Sequence, residues 1–82
     1  MTNKLFIGGL LHSVTNAQLE EHFVKAGKVI SAKIIIDKDG LGKGYGFVEM
    51  ETNEEAEKAK ETLNHTEING KKIEIKEAKQ QP

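Results

Sequence analysis

Apolar and polar positions change their period several times along this chain. Residues 4–9 alternate: Leu5 and Ile7 point one way and Phe6 the other, as side chains on a strand do. From Thr15 to about Ala26 the spacing becomes helical, through Ala17, Leu19, Phe23 and Ala26. Thr15 followed by Gln18 has the spacing of a capping box, with Val14 as its apolar staple, and Gly27 is a helix stop. Residues 29–36 alternate again, with Ala32, Ile34 and Ile36 on one face and Ser31, Lys33 and Ile35 on the other. The cluster Asp37-Lys38-Asp39-Gly40-Leu41-Gly42 predicts a turn that joins this strand to the next as a hairpin. After the third strand, Thr52 and Glu55 form a second capping box, and Ala56, Ala59 and Leu63 stripe a second helix. Asn69-Gly70 is a turn, followed by a fourth strand with Ile73 and Ile75 inward and Glu74 and Lys76 outward. The order β-α-β-β-α-β predicts an α+β, ferredoxin-like fold, a four-stranded antiparallel sheet with two helices on one face. In that topology the first and third strands are the central pair.

The third strand carries the most information. In Lys43-Gly44-Tyr45-Gly46-Phe47-Val48-Glu49-Met50, alternation puts Tyr45, Phe47 and Glu49 on one face and Gly46, Val48 and Met50 on the other. The second set reads as core. The chain has only four aromatic residues, Phe6, Phe23, Tyr45 and Phe47, and three of them fall on the face the helices leave open. Strands favour aromatic and β-branched residues in any case, which would account for either segment alone. Both together suggest flat rings offered to flat bases.

The octapeptide resembles the longer ribonucleoprotein motif of the RNA recognition motif (RRM) family, Lys/Arg-Gly-Phe/Tyr-Gly/Ala-Phe-Val-x-Phe/Tyr. It departs only at the last position, where Met50 stands for an aromatic on the core side. Leu5 to Leu10 is similar to the shorter motif, with Gly9 in place of the usual Asn, as in the heterogeneous nuclear ribonucleoprotein A/B group. The resemblance also extends to short single-RRM proteins of bacteria. It implies one RRM domain over residues 1–79, with residues 80–82 as a polar tail, and a function in binding single-stranded RNA, or single-stranded DNA. Carried over to this chain, it makes Phe6 and Phe47 platforms for two adjacent bases and Tyr45 a contact for a sugar or a third ring. Lys43 would meet a phosphate, Lys33, Ile35 and Lys76 would flank the platform, and the Ala78 backbone would contact a base.

Composition narrows the chemistry. Eighty-two residues make one domain with a modest core. Twelve lysines against thirteen acids give a net charge of −1, and no arginine is present. Affinity for RNA cannot then rest on bulk charge or on bidentate guanidinium contacts; it must come from stacking and a few local lysines. Glu49 and Glu74 on the open face would repel phosphate or accept hydrogen bonds from bases. The absence of cysteine fits a reducing setting, cytoplasmic or, in a eukaryote, nuclear. No apolar leader and no run near the roughly 20 residues of a membrane helix are visible, so a signal peptide and a membrane partner are not expected.

Catalytic and cofactor readings fail on spacing. Gly40, Gly42, Gly44 and Gly46 do not follow the dinucleotide pattern, and Gly44 after Lys43 is not the Ser/Thr of a P-loop. Asp37-x-Asp39-Gly40 lacks the calcium-loop Glu, since Val48 holds its place. His12, His22 and His65 lack metal-ligand spacing, and His22 reads as a helix surface residue. An acylphosphatase-like enzyme of this fold would need an arginine. The expectation is a monomeric binding module without cofactor or metal. The alternative is an RRM-fold protein that docks a protein partner on its helical face.

Overall fold

A computed structural model describes residues 3–36 and 42–78. Strand β1 (Lys4–Gly8), helix α1 (Asn16–Val24), strands β2 (Val29–Ile36) and β3 (Gly42–Met50), and helix α2 (Asn53–Leu63) follow in the expected order. The last part of the chain holds three short strands, β4 (Glu67–Ile68), β5 (Lys71–Lys72) and β6 (Glu74–Glu77). The main sheet is antiparallel with order β2-β3-β1-β6, so β1 and β3 are central. Strands β4 and β5 form a separate two-stranded ribbon that the sequence reading did not separate from the final strand. Asn69 and Gly70 turn it with φ values of 55° and 86°, the left-handed pair that a two-residue hairpin requires. The turn between β2 and β3, residues 37–41, lies outside the described residues.

One core joins sheet and helices. Leu5, Ile7, Val48, Met50, Ile34 and Ile75 from the sheet pack with Leu19, Phe23, Ala56, Ala59 and Leu63 from the helices. Met50 is fully buried, so the motif's one departure is filled by a flexible apolar side chain in the core. Ala17 is exposed, contrary to the stripe drawn from sequence. Leu19, Phe23 and Ala26 are three or four residues apart and share a face, whereas Ala17 is half a turn away from Leu19.

The helix starts follow their caps. The Thr15 side chain accepts from the Gln18 N–H, and the Gln18 side chain accepts from the Thr15 N–H, both at 3.1 Å. Thr52 caps α2 in the same way, accepting from the Glu55 N–H at 3.1 Å. Glu55 does not return the bond to the Thr52 backbone as a box would. Its carboxylate accepts from the Thr52 hydroxyl at 3.2 Å and from the Lys28 N–H at 3.0 Å, which ties α2 to the entry of β2. His22 is also more engaged than expected. It is half-buried, with Nε2 2.8 Å from the Thr66 hydroxyl oxygen. That hydroxyl donates to the Leu63 carbonyl, so the imidazole must donate through Nε2–H.

On each rim of the sheet an asparagine caps one backbone N–H. On edge strand β2 the Ile34 N–H donates to Asn16 Oδ1 at 2.7 Å, and on edge strand β6 the Ile75 N–H donates to Asn64 Oδ1 at 2.9 Å.

Candidate nucleic-acid interface

The face of the sheet opposite the helices carries the remaining side chains of the alternation. Pairing registers set Phe6 opposite Phe47, Phe47 opposite Lys33 and Phe6 opposite Lys76. The four therefore form one row across the sheet, Lys33–Phe47–Phe6–Lys76, with a cation at each end and two rings between. Tyr45 lies opposite Gly8, which lies opposite Glu74, in the neighbouring row.

The three rings are half-buried rather than fully exposed, because they pack on one another. Phe6 stacks with Tyr45, centroids 5.5 Å apart and planes 29° from parallel. Phe47 meets Phe6 edge-on at 5.8 Å and Tyr45 at 6.2 Å. The absence of a side chain at Gly8 permits this: a Cβ there would lie 3.3 Å from Phe6 Cε1, so the ring leans over the bare backbone toward Tyr45. Gly46 has the opposite duty on the core side. A Cβ there would sit 2.6 Å from the Lys33 carbonyl oxygen, so glycine lets β2 and β3 approach.

Of the other residues singled out from sequence, Lys33 and Lys76 are exposed on this face. Ile35 is half-buried on the part of β2 where the register shifts between Ile34 and Ile36. The Ala78 N–H donates to the Lys4 carbonyl at 2.9 Å, which leaves the Ala78 carbonyl as the backbone group it can offer a ligand. The Lys43 backbone belongs to β3, and its side chain lies outside the described residues.

Two residues on this surface escaped the sequence reading. Lys4 places Nζ 5.4 Å from the centre of the Phe47 ring, a cation–π distance. Asn3 donates through Nδ2 to the Met50 carbonyl at 2.9 Å and to Glu49 Oε2 at 3.3 Å. Lys4 was recoverable, since it precedes Phe6 by two positions on the same strand face. Asn3 was not, because it reaches its partners across the sheet from outside any strand.

The family model of the RNA recognition motif matches residues 5–74. The chain is 38% identical over 81 residues to a chloroplastic 29 kDa ribonucleoprotein of Arabidopsis thaliana, covering 98% of this chain and 24% of that protein. It spans only 24–30% of the length of four chloroplastic relatives from Arabidopsis and Nicotiana. The crystal structure of an RNA binding protein, PG1, superposes with a TM-score of 0.90 at 35% identity, covering 99% of each chain. A Sex-lethal protein–RNA complex matches with a TM-score of 0.91 at 23% identity, over 100% of this chain and 50% of that one, and supports the fold.

Proposed function

The chain belongs to the RNA recognition motif family, and on that premise we propose that it binds single-stranded RNA by stacking bases on Phe6 and Phe47. It acts as a binding module and not as an enzyme. The observation that carries the reading is the row Lys33–Phe47–Phe6–Lys76 on the face opposite the helices. Two rings side by side accept two consecutive bases, and a lysine at each end meets the backbone on either side. Tyr45 extends the surface for a sugar or a third base, Lys43 meets a phosphate, Ile35 flanks the platform, and the Ala78 carbonyl accepts from a base at the β6 end. Stacking contributes about 1–3 kcal/mol per base and tolerates any base, which suits a chain with a net charge of −1. Single-stranded DNA would stack on the same rings. The domain acts as a monomer in this reading, supported by the asparagines that each cap one N–H at a sheet rim.

Docking of a protein on the helices has less support. Glu57, Lys58 and Glu61 on α2 are exposed charges of mixed sign. Among the described residues the exposed large apolar side chains are Val24, at the end of α1, and Ile30, near the start of β2. Scattered single residues of this kind are ordinary on a surface. An NMR titration with a single-stranded RNA of about six to eight nucleotides tests the choice. Amide signals of residues 5–9, 33–36, 43–49 and 74–78 are expected to shift while those of residues 54–62 stay in place. Shifts confined to the helices on adding a protein partner, with no response to any RNA pool, would overturn the reading.

A further inference from the structure

Beside the aromatic row runs a polar one. Registers place Ser31 opposite Glu49 and Glu49 opposite Lys4, and alternation puts Glu49 and Lys4 on the same face as Phe47 and Phe6. The two rows are two residues apart along the strands, about 7 Å, which is within reach of the edge of a base centred on Phe47. An acidic residue beside a phosphate-binding surface calls for an explanation, and the structure supplies one. Glu49 is half-buried and its carboxylate is steered by Asn3 Nδ2 at 3.3 Å. Asn3 is itself fastened to the end of β3: its side-chain amide donates to the Met50 carbonyl at 2.9 Å and its backbone carbonyl accepts from the Met50 N–H at 2.8 Å. Glu49 is thus an oriented acceptor, and Lys4, its partner across the strands, carries a donor over the Phe47 ring, with Nζ 5.4 Å from the ring centre.

We infer that Glu49, oriented by Asn3 and flanked by Lys4, reads the edge of the base stacked on Phe47 and selects guanine. The inference rests on the stacking reading above and adds base identity to it. Guanine presents two adjacent donors, N1–H and the 2-amino group, next to the O6 acceptor. A carboxylate takes the two donors, its oxygens each having a second lone pair, and an ammonium gives to O6. Adenine and cytosine offer the carboxylate a single amino group. Uracil offers one N–H between two carbonyl oxygens, so one of them faces the carboxylate.

Binding of short RNAs that are uridine throughout except for one central G, A, C, U or inosine tests this. Guanine is expected to bind about tenfold more tightly than uridine, the scale of one good bidentate base contact. Inosine, which lacks the 2-amino group, is expected to fall between them. In Glu49→Gln the ratio of guanine to uridine affinity is expected to collapse toward one, with uridine binding slightly improved as the negative charge is lost. Equal wild-type affinity for all five RNAs would overturn guanine selection and leave stacking intact. Equal weakening of all five by Glu49→Gln would show that Glu49 only supports the strand. If folded wild-type protein bound none of them, the RNA-binding reading itself would fall.

Discussion

Phe6 stacks on Tyr45, its diagonal neighbour, and not on Phe47, the residue directly across from it. The Phe6 and Tyr45 planes are 29° apart, whereas those of Phe6 and Phe47 are 68° apart. The open face therefore carries one near-parallel pair of rings and a third ring set at an angle to them. Each of the three rings is thus held by its neighbours.

Removing either platform ring tests that arrangement. Phe6→Ala and Phe47→Ala should each weaken binding to a short single-stranded RNA by about 1–3 kcal/mol. Both proteins should stay folded, because the core lies on the other side of the sheet, with a small drop in melting temperature from the lost ring contacts. Affinity and thermal melting measured on the same samples decide it. A variant that binds like the parent, or a pair of variants that both unfold, would contradict the placement of these rings.

Salt dependence should be shallow. With Lys33, Lys76 and Lys43 as the phosphate contacts, log affinity should fall against log salt with a slope of roughly −2, from about −0.7 per contact on a single strand. Lys33→Ala and Lys76→Ala should each flatten the slope by about 0.7. A wild-type slope steeper than about −5 would mean a large basic surface that these lysines do not account for.

Gly46→Ala should act through the fold. Its Cβ would meet the Lys33 carbonyl oxygen at 2.6 Å and Ile34 Cα at 3.2 Å, both backbone atoms of the paired strand. Separating β2 from β3 should cost at least about 1–3 kcal/mol in urea unfolding, the usual scale of overpacking. A stability equal to wild type would show that the strands can part without loss.

Stability should depend on pH through His22. Burial, and then the neighbouring Lys25 charge, hold its pKa below the ordinary 6.5. Below that value the unfolded chain takes up a proton that the folded chain resists. The contribution is therefore full above pH 6.5 and is lost as pH falls toward the lower folded value. Between about pH 7 and pH 5 the melting temperature of wild type should fall more than that of His22→Gln, whose amide can still donate to Thr66. Parallel falls in the two proteins would remove His22 from the account.

Local signals in the sequence carried well where one short-range interaction decides the outcome. Thr15 with Gln18 and Asn69 with Gly70 are such cases, since a cap and a two-residue turn depend on few neighbours. Alternation placed Met50 in the core and the three rings on the other face for the same reason. Sequence reading failed where a distant partner intervenes. Glu55 leaves its box for Lys28, His22 finds Thr66, and Asn3 reaches Glu49, each across a long stretch of chain. The half-burial of the rings belongs with these, because it depends on Gly8 letting one ring lean toward another strand's tyrosine.

The two asparagines at the rims have a consequence for how this protein behaves in a crowd. A bare sheet edge invites a strand from another molecule, and repeated pairing of that kind grows a ribbon. With Asn16 holding the Ile34 N–H and Asn64 holding the Ile75 N–H, an incoming strand must first displace an intramolecular acceptor on either side. Strand addition between molecules is thereby opposed at one position on each rim.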